Sequence, residues 1–205
     1  MKTRACLIMA SLFLIPALLG AEVTMKVTGA RQLTFYQDGK EVAKQVVDER
    51  MKAAKTDGAV PDGMVKGYFP SGKLQVEVIY KKNAKEGVLK AYYENGKLQE
   101  ETYFKNDLRE GPSKIYFVNG KLAQDVAYKS GKLSGICKTF FESGKLRQEA
   151  NYIEGDPEGS AKKYFEDGQL QEDMTYLKGN LIKSKKYNIK GELIYEKGAA
   201  GEQQK

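Results

Sequence analysis

Gly87-Val-Leu-Lys-Ala-Tyr92-Tyr93-Glu-Asn95-Gly96-Lys97-Leu98-Gln-Glu-Glu101-Thr-Tyr103-Phe104 decides the fold, because the chain repeats this stretch five times. The opening glycines are Gly63, Gly87, Gly111, Gly135 and Gly159, spaced by 24 residues without a slip. The inner glycines Gly72, Gly96, Gly120, Gly144 and Gly168 keep the same interval. A fixed period of this size marks a repeat architecture and overrides any local propensity count.

Each copy reads as one hairpin. A turn former stands before every inner glycine: Ser71, Asn95, Asn119, Ser143 or Asp167. Asn-Gly and Asp-Gly between alternating strands signal a tight hairpin, since both central residues need positive φ. A two-residue loop then sets the register. Phe69 faces Leu74 and Lys66 faces Glu77, and the charged pair recurs as Lys90 with Glu101, Lys114 with Asp125, Lys138 with Glu149 and Lys162 with Asp173. All five pairs are of opposite charge, each a cross-strand contact of about 0.2–1 kcal/mol. A glycine bulge would slip this register by one. A second turn joins one copy to the next, with Asn83, Asp107, Gly131, Gly155 and Gly179 at matching places; these residues tolerate left-handed backbone.

Alternation sorts two faces. The apolar one carries Phe69, Leu74, Val76, Val78 and Tyr80, with counterparts in each later copy. The other shows Tyr68, Tyr92, Tyr116, Phe140 and Tyr164 beside the lysine and acidic columns. An isolated hairpin is marginal in water, so each copy needs its neighbours. The expected fold is all-β: an elongated, twisted antiparallel sheet of tandem 24-residue hairpins, some 12 strands and roughly 55–60 Å long.

The ends are less regular. Residues 1–21 read as a secretory signal peptide: Lys2 and Arg4, an apolar run from Ala5 to Leu19, then Gly20-Ala21. Export to the periplasm or the extracellular space is the expected consequence. Residues 22–62 read as an N-terminal cap, since terminal repeats are usually atypical. Arg31 to Lys40 resembles the middle of a repeat and Glu41 to Val47 its return strand, although Val42, Val46, Val47 and Met51 also fit a short helix. Lys55 to Gly63 is a turn-rich connector. The repeat domain spans 63–195, with a shortened sixth copy from Lys183 to Tyr195, and 196–205 is a polar tail.

Composition narrows the chemistry. The net charge of +7 falls to +5 without Lys2 and Arg4, and acidic residues are interleaved with the basic ones. The absence of histidine removes the usual general base and the commonest metal ligand. Once Cys6 leaves with the leader, Cys137 has no intramolecular partner, and it occupies a packing position. Neither a catalytic triad, a zinc site nor a phosphate loop is credible. Equivalent carboxylates such as Glu77, Glu101 and Glu149 do not offer the unlike environments that an acid–base pair needs. No cofactor and no nucleic-acid partner are implied.

The motif Gly-x-x-Lys-x-Tyr-Phe-x-x-Gly-Lys-Leu-x-x-Glu-x-x-Tyr resembles the bacterial variant of the MORN (membrane occupation and recognition nexus) repeat. Related proteins are often labelled YwqK-type antitoxins of toxin–antitoxin systems. The resemblance covers 63–195 well and 31–47 loosely. It implies a scaffold or oligomerisation module, with lipid contacts as a further possibility in some relatives.

Two candidate binding columns follow. Lys66, Lys90, Lys114, Lys138 and Lys162 suit an anionic lipid or cell-wall polymer, although such pairs more often only solubilise a strand face. Tyr68, Tyr92, Tyr116, Phe140 and Tyr164 suit stacking on sugar rings, bases or a partner's apolar strip. Their plainer role is a cross-strand ladder. The preferred expectation is a secreted, non-enzymatic scaffold for protein–protein interaction, with antitoxin-like binding of a protein as a special case. The alternative is adhesion to an anionic membrane or envelope surface. The apolar face also raises self-association as a homodimer through Phe69, Phe117, Phe141 and Leu122.

Overall fold

A computed structural model describes residues 22–29, 32–48, 52–198 and 202–203; the expected leader at 1–21 lies outside them. The N-terminal part forms β1 (Val23–Gly29), β2 (Gln32–Gln37), β3 (Lys40–Val47) and β4 (Ala53–Gly58). The repeats follow as β5 (Gly63–Tyr68) and β6 (Leu74–Lys81), then β7 (Ala84–Lys85), β8 (Gly87–Tyr92) and β9 (Leu98–Lys105). Next come β10 (Leu108–Tyr116) and β11 (Leu122–Lys129), then β12 (Lys132–Leu133), β13 (Gly135–Phe140) and β14 (Leu146–Ile153). The array closes with β15 (Asp156–Tyr164), β16 (Leu170–Leu177), β17 (Asn180–Tyr187), β18 (Leu193–Lys197) and β19 (Glu202–Gln203). All belong to one sheet with no helix among the described residues, so the all-β tandem-hairpin expectation holds.

Every strand pairing among the described residues is antiparallel but one. β1 lies parallel to β5, Val23 against Val65 and Met25 against Gly67. That pairing lets β2 and β3 roll back over the first repeat. Phe35 meets the ring of Tyr80 edge-on at 5.2 Å, and the core gathers Val23, Leu33, Phe35, Ala43, Val47 and Val60 around Val65, Val78 and Tyr80. Gln45 ties the roll shut by donating to the Asn83 carbonyl at 2.7 Å, while the Val60 amide donates to Asn83 Oδ1. Gly67 is small because Val76 crowds it: a Cβ there would stand 2.9 Å from Val76 Cγ1, with Met25 in ordinary contact beyond.

The hairpin expected at 31–47 is β2–β3, and the helical alternative for its second half is not adopted. Val42 and Val46 fit a helix by spacing, but β-branched residues favour strands and Ala43, Gln45 and Val47 alternate inward as a strand requires. The stretch expected as a connector, Lys55 to Gly63, begins inside β4, which pairs with β3 from Ala43–Gly58 to Val47–Ala53.

The turns correct the two-residue loop. Gly96 donates its amide to the Tyr93 carbonyl, and Tyr93 donates to the Lys97 carbonyl, each at 2.8 Å. In the inner turns of the five repeats only the glycine has positive φ, as at Gly96 with φ 84. This is a type I turn closed by a glycine bulge, a three-residue loop. It does slip the register: Tyr68, not Phe69, pairs with Leu74. One extra residue on the return strand, Gln75 opposite the Gly67–Tyr68 step, restores the original alignment, so Lys66 faces Glu77 after all. The doubly left-handed turns lie between repeats instead. Asn106 and Asp107 have φ 49 and 64, and Lys82–Asn83, Ser130–Gly131, Glu154–Gly155 and Lys178–Gly179 follow suit. A carboxylate 20 residues earlier caps each of several such turns, as Glu110 accepts from the Ser130 amide at 2.7 Å and Glu158 from Lys178 at 2.6 Å.

Gly96→Ala has open space for its Cβ, so its cost is conformational, about 1–2 kcal/mol. Gly96→Asn, which tolerates left-handed backbone, is expected to lose clearly less. Chemical denaturation of both variants checks the pair; equal losses would mean the turn does not require the left-handed state.

Along the buried face the side chains vary in size from copy to copy. Val65, Val78 and Tyr80 give way to Thr102, Ser113 and Val126, then to Cys137, Ala150, Ala161 and Met174, all buried. Tyr152 and Tyr176 close over the last of these. The array therefore covers its apolar face by two means, the rolled cap at one end and its own aromatics further along. Phe69, Phe117, Phe141 and Leu122 are half-buried within the chain's own sheet.

Candidate interaction face

The opposite sheet face carries the two columns read from the sequence. Lys66–Glu77, Lys90–Glu101, Lys114–Asp125, Lys138–Glu149 and Lys162–Asp173 are all backbone partners. The pairing also runs between hairpins: Glu77 with Lys90, Glu101 with Lys114, Asp125 with Lys138, Glu149 with Lys162, Asp173 with Lys185, and Lys185 with Glu196. One row of strictly alternating charge thus crosses the array from Lys66 to Glu196. It is neutral as a whole. Each interior lysine lies between two carboxylates, which cancels most of the field an anionic polymer would feel.

Within the row only the last pair closes, Lys185 with Glu196 at 3.2 Å. Among the five column lysines only Lys66 comes within 4.0 Å of a carboxylate, and that is Glu22 at 3.9 Å. The acids are held by the tyrosine column instead. Tyr92 donates to Glu77 at 2.8 Å, Tyr164 to Glu149 at 3.2 Å, and Tyr68 to Glu22 at 2.6 Å. Tyr92 and Tyr164 therefore each grip the acid of the repeat before, and Tyr68 grips that of the cap. Phe140 has no hydroxyl to give; its backbone pairs with Leu146. The glycines Gly72, Gly96, Gly120, Gly144 and Gly168 lie in the turns at one rim, all with positive φ.

These hydroxyl bonds shift the phenols. Burial, with the bond to Glu77, pushes Tyr92 up to about 12; the bond to Glu22 lifts Tyr68 to about 12 as well. A phenol whose folded pKa exceeds its unfolded value near 10 holds its proton better when folded, so its contribution is present below pH 10 and lost towards pH 12. The unfolding midpoint is expected to fall across that window, and less steeply in Tyr92→Phe. Thermal melts at stepped alkaline pH check this; identical slopes would remove Tyr92 from the account.

A third row was not singled out in the sequence, although alternation contains it. Beside the charges, Met64, Ile79, Val88, Tyr103 and Ile136 stand exposed at 37% or more. Met64 pairs with Ile79 and Val88 with Tyr103, so they form a band across the first repeats. In the last copies the band turns polar at Asn151, Ser160 and Thr175. Next to it a shallow groove of about 250 Å³ is lined by Val88, Glu101, Tyr103, Pro112, Lys114 and Tyr116.

On the buried face the main feature missed by sequence reasoning is an ion pair. Lys85 is 3% exposed and 3.5 Å from Asp107 Oδ1, which also accepts the Lys85 amide at 2.8 Å. The ammonium lies against the rings of Tyr80 and Phe104. Burial pulls its pKa down against the opposing pull of Asp107. The available signal was a charge, shared with Arg109 in the next copy, where later copies place Leu133 and Leu181. Among the described residues no group of three or more His, Cys, Asp or Glu is placed to hold a metal, and no helix is long and apolar enough to cross a membrane.

Hairpins of period 24, aromatic ladders and paired glycine turns define a tandem β-repeat protein. The family model of the MORN repeat variant matches residues 61–82, 85–106, 133–154 and 157–178. The chain is therefore a MORN-repeat variant protein. The copy between, around Gly111, escapes the match but forms the same hairpin, β10–β11. No curated protein matches the chain. Among solved structures, a GtfA/B complex bound to UDP and GlcNAc is similar at 13% identity and TM-score 0.22, over 67% of this chain and 25% of that one. This chain spans about a quarter of that chain's length; at such a TM-score the likeness carries no argument.

Proposed function

We propose that this protein is a non-enzymatic, exported scaffold that docks a protein partner on its open sheet face. MORN repeats generally mediate protein or membrane interactions; the choice between these rests on one observation. The exposed band of Met64, Ile79, Val88, Tyr103 and Ile136 runs beside a neutral row of alternating charge. Large apolar side chains left exposed together on one face mark interaction sites. A neutral row fixes register and rejects wrong partners but gives little pull towards an anionic surface. Binding of a toxin in the manner of an antitoxin is a special case of the same docking.

The test is capture from the native envelope fraction with the purified chain, at low and high salt, against the variant Ile79→Glu/Ile136→Glu. A protein retained at high salt and lost in the variant supports the reading. Lipid or wall polymer that washes off with salt, independently of the variant, overturns it in favour of the lysine columns as an adhesive surface.

A further inference from the structure

We propose that the groove at the junction of the second and third repeats binds a neutral pyranose ring of a glycan. The strict periodicity of this chain makes departures from it informative, and three of them meet here.

The first is Tyr103. Its equivalents are Ile79, Ala127, Asn151 and Thr175, so it is the one aromatic at its place in the five copies. It is 37% exposed and lines the groove with Val88 and Pro112. The second is a broken hydrogen bond. Tyr92 reaches Glu77 and Tyr164 reaches Glu149, so the repeat predicts that Tyr116 reaches Glu101. Tyr116 and Glu101 line the groove together but form no such bond. The third is the state of the polar groups. Among the described residues the Glu101 carboxylate, the Lys114 ammonium and the Tyr116 hydroxyl have no hydrogen-bond or ion-pair partner, and all three line the groove. Backbone geometry opens the space. Between β9 and β10 the register jumps from Phe104–Arg109 to Thr102–Ser113, so residues 110–112 all face Tyr103 and bend the strand away.

The chemistry selects the ligand. One carboxylate and one ammonium side by side give no net pull on a charged group. They suit vicinal hydroxyls, where one donates to Glu101 and the next accepts from Lys114, with Tyr116 able to do either. The exposed ring of Tyr103 offers a flat apolar surface to the C–H face of a sugar. At about 250 Å³ the groove falls below the roughly 300–1,000 Å³ of drug-sized sites, which fits one ring rather than an extended ligand. Its open side lets the glycan chain continue in both directions.

The experiment is ligand-observed saturation-transfer NMR on the intact chain, with cellotriose and maltotriose as probes. At least one should receive transfer, with a Kd on the order of 1 mM. Tyr103→Ala and Lys114→Met should each weaken it about tenfold, while Thr175→Ala, at the place of Tyr103 in another repeat, leaves it unchanged. Both altered groove side chains are surface groups, and far-UV circular dichroism confirms that the fold is kept. No transfer to either sugar at about 10 mM, or equal losses in the Tyr103 and Thr175 variants, overturns the proposal. Either failure leaves protein docking on the aliphatic band standing.

Discussion

Phe35→Ala is expected to destabilise the N-terminal third of the protein by about 3–5 kcal/mol and leave the far repeats folded. The ring is fully buried and meets Tyr80 edge-on, so truncation removes both its transfer free energy and the packing of the roll, leaving a cavity. The loss should stay local. Two separate clusters of buried residues lie among the described residues, one joining the cap to the first repeat and one around Ala150, Ala161 and Met174, and Phe104, Val126 and Cys137 belong to neither. In a linear array each repeat is stabilised chiefly by its neighbours. Hydrogen exchange should show β2, β3, β5 and β6 losing protection while β14 to β16 keep theirs. Uniform loss along the chain would mean that the sheet unfolds as one unit.

Asp107→Asn is expected to cost about 3–5 kcal/mol, because it takes the nearest carboxylate away from a buried ammonium. Asparagine keeps the left-handed backbone of this turn, as Asn83 does one repeat earlier, so the cost isolates the charge. The sign of the pH effect follows from Lys85. Burial already holds its pKa below that of a free lysine, and removing Asp107 removes the largest pull that opposes this, leaving the weaker one of Asp48. Between that lowered pKa and about 10.4 the unfolded chain binds the proton that the folded one has released, so stability rises with pH there. The deficit of Asp107→Asn should therefore shrink as pH climbs towards 10. Adding Lys85→Leu should recover most of it at neutral pH, since Leu133 fills the same place against Gly155 in a later repeat. Urea denaturation at several pH values reads both effects; a deficit that is flat with pH and unrelieved by Lys85→Leu would remove the ion pair from the account.

Period, hairpins, charge pairing and turn positions were all legible in the sequence, because each is a local property that recurs. The Lys–acid row is the strongest case. Its register was inferred from a two-residue loop that does not exist, and it survives because the glycine bulge and the return-strand irregularity cancel. The tyrosines were correctly placed beside the acids, yet the bonds from Tyr92 to Glu77 and from Tyr164 to Glu149 join different repeats. No single copy could show them.

What the sequence determined by itself is the repeating unit: a backbone that must turn at each inner glycine and between copies, and strands whose alternation leaves one side apolar. Only the tertiary structure decided how that apolar side is covered. The parallel contact of β1 with β5 rolls β2 and β3 over Tyr80. This depends on a pairing across some 40 residues of non-repeating chain, for which periodicity carries no signal. The same long-range packing buries Lys85 against Asp107 and leaves Glu101, Lys114 and Tyr116 unbonded around one groove. Side chains that are equivalent in sequence thus acquire different environments, because curvature and end effects act on the array as a whole.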